Sequence, residues 1–152
     1  MTNPIMRRAH LDDLPAIVAL LANDALGSAR EDSSLPLRSC YLEAFKAIDT
    51  DPNQFLAVAD VDQAVVGTLQ LTYIPNISHL GSWRAQIEAV RVHEVMRGSG
   101  LGRRLFQWAF EQARERGCTM VQLTCDRARP DAHRFYESLG FVPSHTGFKM
   151  KL

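Results

Sequence analysis

Residues 97–104, RGSGLGRR, alternate glycine at 98, 100 and 102 and flank it with Arg97, Arg103 and Arg104. The segment WRAQIEAVRV before it alternates like a strand, and LGRRLFQWAFEQARERG after it carries the three- and four-residue apolar steps of a helix. A glycine-rich turn from a strand into a helix N-terminus suits an anion. It offers several backbone N–H groups and the positive end of the helix dipole, and it lacks obstructing side chains. Phosphate is the usual guest. A dinucleotide turn would read G-x-G-x-x-G, yet the third position after Gly100 is Arg103, and the third glycine arrives one residue early at Gly102. A P-loop would need G-x-x-x-x-G-K-[ST], which the chain lacks. A tight turn without a ligand is the plain alternative.

Other reactive side chains give weaker signals. Cys40, Cys118 and Cys125 are odd in number and lack C-x-x-C spacing, so reduced thiols are expected. Cys125, at the end of an apolar strand and without a sequence-adjacent histidine, is not read as a nucleophile. His10, His79, His93, His133 and His145 show no ligand spacing, and no metal is predicted.

The elements that must position the glycine turn are readable around it. RRAHLDDLPAIVALLAND predicts a short strand, then Asp12 or Asp13 capping a helix with Pro15 in its first turn. A second helix is expected over LRSCYLEAFKAID, and FLAVADVDQAVVGTLQLTYI predicts a hairpin turning at Asp62-Gln63. In the long helix Leu101, Leu105, Trp108, Ala109 and Gln112 mark one face, and Gly117 stops it. CTMVQLTC predicts a buried parallel strand. Pro130 opens a last helix with Ala132, Phe135, Tyr136 and Leu139 on one stripe, and FVPSHTGFKMKL predicts a closing strand or strand pair. The order implies a mixed α/β sheet with an antiparallel first half and a β-α-β crossover in the second.

At 152 residues, 46% hydrophobic and 22% charged, the chain fits a single domain over 1–152. No stretch approaches the roughly 20 apolar residues of a membrane span, and the first residues lack a secretory pattern, so a cytoplasmic protein is expected. Zero net charge argues against nucleic acid as a general partner, and no aromatic stacking run supports RNA binding. The balance is uneven, however. Residues 1–96 hold 7 Lys/Arg against 12 Asp/Glu, and residues 97–152 hold 10 against 5. The basic half begins at the glycine turn, as an anionic ligand would require.

Arg97-Gly98-Ser99-Gly100-Leu101-Gly102, the preceding EAVRV and the downstream AHRFYESLGF together resemble the GNAT family of N-acetyltransferases. The match is strongest over 84–143. The resemblance implies a mixed, mostly antiparallel twisted sheet of six to seven strands flanked by four helices, with acetyl-coenzyme A as cosubstrate. Backbone N–H groups from Arg97 through Gly98, Ser99, Gly100, Leu101 and Gly102 to Arg103 would hold the coenzyme pyrophosphate. The strand Val90-Arg91-Val92 would take the pantetheine arm, through the backbone of Val90 and Val92. Arg129 stands where many members have asparagine, and would meet coenzyme phosphate in place of the amide contact.

The same resemblance makes Tyr136 the acid that protonates the departing thiolate, a thiol of pKa about 8.5 against about 10 for tyrosine. The Val90 N–H would hold the developing oxyanion. An alkylamine acceptor of pKa about 10.4 is neutral in only roughly 1 molecule in 2500 near pH 7, a handicap of about 4.6 kcal/mol. Glu88 is the candidate base, directly or through a water, provided burial raises its proton affinity. Packing alone for Tyr136 and an edge ion pair for Glu88 are the competing roles.

The tail DAHRFY, GF, SH and F is similar to that of aminoalkylphosphonate N-acetyltransferases. A small primary amine with an anionic group is therefore the expected acceptor, with Arg84 and His79 as candidate positive charges. The acidic first half would instead suit a polyamine or a protein lysine, and a coenzyme A-binding sensor domain without catalysis is the alternative from another class. A homodimer is compatible with the sequence.

Overall fold

The computed structural model describes residues 3–152. Five strands form one sheet in the order β1 (Ile5–Arg8), β2 (Gln54–Val61), β3 (Ala64–Pro75), β4 (Trp83–Val92) and β5 (Cys118–Gln122). The first four pair antiparallel, and β5 joins β4 in parallel. Helices α1 (Leu14–Ala22) and α2 (Ser39–Thr50) separate β1 from β2, α3 (Leu101–Glu115) links β4 to β5, and α4 (Pro130–Ser138) follows β5.

Strand alternation divides the core into two layers. On one face Ala57, Leu69, Leu71, Ala85 and Ile87 meet Leu101, Leu105, Phe106, Ala109 and Ala113 of α3, with Phe135, Tyr136 and Leu139 of the α4 region packed alongside. On the other, Leu56 and Val58 meet Leu14, Ile17 and Val18 of α1 and Phe45 of α2. The buried stripe of α3 contains Phe106 and Ala113 where the sequence suggested Trp108 and Gln112. Phe106 turns inward because Phe135, Tyr136 and Phe141 surround it at ring distances of 5.8, 5.7 and 6.1 Å. Gly67 lets α3 lie close to the sheet. A Cβ there would sit 3.1 Å from Leu105 Cδ1 and 3.2 Å from the Arg91 carbonyl oxygen.

The predicted hairpin turns at Asp62 and Gln63, both left-handed with φ of 50° and 68°, as a two-residue hairpin loop requires. At the first helix the cap is an acid-arginine junction. The Asp13 carboxylate accepts the His10 N–H at 2.7 Å and two bonds from the Arg7 guanidinium at 2.7 and 3.0 Å. Arg7 also bonds Asp60 at 2.7 and 3.0 Å, tying β1 to the start of α1 and the end of β2. A 3-10 turn, Leu11–Asp13, precedes α1.

Several expectations are corrected. α2 begins at Ser39, two residues later than predicted, and β5 ends at Gln122, short of Cys125. β5 is also half-exposed and not a buried strand, because among the described residues only β4 flanks it. Residues 141–152 form no strand, so the sheet has five strands in place of six to seven. The four expected helices are present, along with a single turn at Ser78–Gly81 in which His79 and Leu80 adopt left-handed φ of 53° and 60°.

Candidate active site

β4 does not stay beside its neighbours along its whole length. Its pairing with β5 runs from Trp83↔Cys118 to Gln86↔Gln122 and stops, so the edge of residues 87–92 facing β5 carries no ladder. On the β3 side Gln70 faces Glu88 and Thr68 faces Arg91, which leaves Leu69 opposite both Ala89 and Val90. That is a β-bulge, and Ala89 at its centre has φ of 55°. Bulge and splay coincide.

The gap between the splayed strands opens into a cleft of about 760 Å³. Val90 and Val92 of β4, Arg97 and Gly102 of the glycine turn, Phe106 of α3, and Arg129, Phe135 and Tyr136 of the α4 region line it. The turn reaches the cleft because Gly98 and Gly100 adopt φ of 76° and 83°. A Cβ at either would meet nothing within 4 Å, so conformation, not space, calls for glycine at these two positions.

Donors in the turn are unequal. The Arg97 N–H donates to the Glu94 carbonyl at 3.1 Å and the Ser99 N–H to the Met96 carbonyl at 3.2 Å, closing a 3-10 turn. The Leu101 N–H has a long bond of 3.4 Å to Ser99 Oγ. Gly98, Gly100, Gly102 and Arg103 keep N–H groups without partners among the described residues. These unsatisfied groups at the N-terminus of a four-turn helix make an anion cradle narrower than the 97–103 span expected. The Arg103 side chain turns elsewhere, donating to Ser138 Oγ at 3.0 Å and to the Ser138 carbonyl at 3.4 Å at the C-terminal end of α4, where a cation suits the helix dipole. Leu101 contributes backbone only, since its side chain is buried under the sheet.

Tyr136 is held by aromatic edges, 5.7 Å from Phe106 and 6.1 Å from Phe141 between ring centroids, with Phe135 tilted at 5.8 Å. Its hydroxyl has no partner among the described residues. Burial, with the nearby Cys125 thiol, raises its proton affinity against the opposing charges of Arg129 and Arg91, so the phenol remains protonated near neutral pH. Burial also pushes the Cys125 thiol up, away from the thiolate a nucleophile needs.

Glu88 is not in the cleft. It is exposed on the opposite face of the sheet, so the expected burial is absent. That face carries a row of polar side chains, Gln54, Thr72, Gln86 and Gln122, directly across from one another on β2 to β5. Gln54 accepts from Gln70 at 2.9 Å and from Thr72 at 3.1 Å, and Gln122 donates to Gln86 at 2.9 Å. Arg84 completes the row, bonding Gln122 at 3.0 Å and Asn76 at 2.6 Å and leaving its buried Nε without a partner among the described residues. His79 lies apart in the left-handed turn.

Arg91 also leaves the cleft. Its guanidinium donates to the Val90 carbonyl at 2.8 Å, and its Nε lies 2.9 Å from Asp24 beyond α1 as an ion pair without hydrogen-bond alignment. Burial works against the Asp24 charge. The Gly27 N–H and the fields of Arg91, Arg129 and Arg30 outweigh it and hold the carboxyl below its usual range. Asp24 escaped the sequence reading, because one acid past a helix end carries no sign of an arginine on a distant strand.

A family model described as "Acetyltransferase (GNAT) family" matches residues 18–141. The chain belongs to the GNAT acetyltransferase family. Among curated relatives of this GNAT chain, the aminoalkylphosphonate N-acetyltransferase of Salmonella typhimurium is 34% identical over 112 residues, 74% of this chain and 72% of that protein. A crystal structure of a transcriptional regulator from Bacillus halodurans C-125 superposes with a TM-score of 0.95 at 49% identity, covering 98% of this chain and 99% of that one. The glucosamine-6-phosphate N-acetyltransferase of Arabidopsis thaliana shares the fold at 19% identity, with a TM-score of 0.76 over 99% of this chain and 98% of that one. No helix among the described residues is long and apolar enough to cross a membrane.

Proposed function

We propose that this GNAT chain transfers an acetyl group from acetyl-coenzyme A directly to the primary amine of a small molecule bearing an anionic group, an aminoalkylphosphonate being the leading candidate. The observation that carries the transfer is the coincidence of an unpaired β4 edge, a cradle of unsatisfied N–H groups and an unbonded phenol around one cleft. The cradle and Arg97 take the pyrophosphate, with Arg129 as a second charge. The open edges of Val90 and Val92 take the pantetheine arm as if it were an added strand. The Val90 N–H receives the developing oxyanion. As the amine nitrogen bonds to the acetyl carbon and the carbon–sulfur bond breaks, Tyr136 gives its proton to the departing sulfur. The amine's surplus proton leaves on the opposite face, to Glu88 through a water.

Support for an anionic acceptor comes from the 34% identical aminoalkylphosphonate enzyme and from the face carrying Glu88, where Arg84 and Arg91 stand among amide side chains. The 49% identical transcriptional regulator favours a second reading, a coenzyme A-binding regulatory domain without turnover. Thiol release from acetyl-coenzyme A across aminoalkylphosphonates, amino acids, polyamines and peptides separates them. In the Tyr136→Phe variant the rate should fall about 100-fold or more, the usual reach of a general acid. The thermal shift given by coenzyme A should stay, because the hydroxyl supports nothing else. If no amine releases thiol although coenzyme A stabilises the protein, the regulatory reading replaces the catalytic one.

A further inference from the structure

The face of β4 that carries Glu88 holds two arginines, and the register sets them at different distances from it. Arg84 lies opposite Ile74, four positions along β3 from the Gln70 that faces Glu88, a span of about 13 Å at the rise of a strand. Its terminal nitrogens are spent on the amide oxygens of Gln122 and Asn76. Arg91 lies opposite Thr68, two positions from Gln70 in the other direction, a span of about 7 Å. It is the nearer of the two, and it has donors to give.

The guanidinium of Arg91 is little used. Its side chain is 16% exposed, yet among the described residues it makes one hydrogen bond, to the Val90 carbonyl at 2.8 Å, and its buried Nε makes none. The charge is balanced by Asp24, whose Oδ2 lies 2.9 Å from that Nε without the alignment of a bond. Asp24 is held from elsewhere, because its Oδ1 accepts the Gly27 N–H in the segment after α1. A shielded guanidinium that is neutralised but barely bonded suits an oxyanion able to take two of its N–H groups at once. The place suits transfer too. The charge of Arg91 acts on the Tyr136 phenol as well as on Asp24, while its side chain lies outside the coenzyme cleft.

We infer that Arg91 is the specificity residue of the acceptor site, taking the phosphonate or carboxylate of a short amine whose nitrogen lies at Glu88, with Asp24 as the counter-ion which that anion displaces. The inference rests on the acetyl transfer proposed above. The spacing of Glu88 and Arg91 then selects acceptor length, one end of the molecule at each residue. A long acceptor would overrun Arg91, and an uncharged one would leave Asp24 in place.

Thiol release is followed with aminoethylphosphonate, β-alanine, uncharged propylamine and a long-chain aminoalkylphosphonate, and calorimetry on the complex with coenzyme A reads acceptor affinity without turnover. The parent should prefer the short anionic amines. Arg91→Gln should cut the preference for aminoethylphosphonate over propylamine about tenfold or more, through KM, as expected for a lost charge-assisted bond, and Arg91→Lys should recover part of it. Asp24→Asn keeps an oxygen for the Gly27 N–H and should lower KM for the anionic amines alone. Of phosphonate and carboxylate, the one that loses more in Arg91→Gln is the anion the site is built for. If Arg91 and Asp24 merely tie α1 to the sheet, both variants harm every amine alike; that result overturns the inference and leaves acetyl transfer standing. A parent that favours the long phosphonate points to Arg84 and overturns it as well. If no amine turns over, transfer itself fails and affinity decides: aminoethylphosphonate binding that is lost in Arg91→Gln upholds the role of Arg91, and absence of binding in the parent overturns it.

Discussion

Gly100 gives the sharpest test of how the glycine turn works. Its φ of 83° and ψ of 2° lie in the left-handed region, and no atom lies within 4 Å of an added Cβ. Gly100→Ala is therefore a conformational perturbation free of any clash in the unliganded chain. A non-glycine residue in this region costs about 1–2 kcal/mol. The variant can keep the turn and lose that much folding stability, or it can relax the turn and recover its stability. In the second case the N–H groups of Gly100, Gly102 and Arg103 lose their alignment, and coenzyme A must restore it on binding. The two losses are complementary. The free energy from unfolded chain plus coenzyme A to folded complex falls by about 1–2 kcal/mol wherever the strain is felt. Contact between the new methyl and the ligand would add to it. Denaturant unfolding gives the first share and calorimetric titration with coenzyme A the second, where 1.4 kcal/mol is a tenfold change in affinity. If the two losses together stay below about 0.5 kcal/mol, the left-handed cradle is not what coenzyme A binds.

Two further outcomes rest on packing and charge. Gly67→Ala should do the reverse of Gly100→Ala: its backbone is ordinary but its Cβ would press on Leu105 and the Arg91 carbonyl, so overpacking should cost about 1–3 kcal/mol of stability in thermal melts. Coenzyme A affinity should move only as far as α3 is displaced. The Asp13 carboxyl is held below the usual range chiefly by its bonds from Arg7, helped by the His10 N–H, so its ionised form is favoured in the folded chain. That contribution is present above the unfolded pKa of about 3.9 and is lost as pH falls through the lower folded value. Asp13→Asn should accordingly cost about 1.5–3 kcal/mol at pH 7, from charge-assisted bonds, and the gap to the parent should close below pH 4 in urea titrations.

Much of the architecture was legible because it is written in local periods. The apolar steps of α3, the paired turn at Asp62 and Gln63, and glycine at the left-handed positions 98, 100 and 140 each carry a residue-level signature. The parts that were missed lack one. The tail alternates like a strand, but alternation fixes which face is apolar and not whether an edge pairs with it. Glu88 and Arg91 were assigned from their place on β4, and which face each takes depends on a bulge. Alanine at 89 gives no hint of φ 55°, whereas a glycine would have flagged it.

That bulge is the least economical feature of the sheet and the most informative. In a regular strand residues three apart point to opposite faces, yet Glu88 and Arg91 lie on the same face, opposite Gln70 and Thr68 two residues apart on β3. Ala89 is thus the extra residue. Were it absent, Glu88, Val90, Arg91 and Val92 would still alternate as they do now, so its strain of about 1–2 kcal/mol gains no side-chain burial. What it changes is the backbone, which bends where β4 parts from β5 and where Val90 lines the cleft. Strain that brings no packing, placed where two strands separate around an unbonded tyrosine hydroxyl, is accounted for by a ligand that completes the ladder. On the proposed function that ligand is the extended arm of acetyl-coenzyme A, and Glu88 and Arg91 lie together on the far face, where the amine would approach.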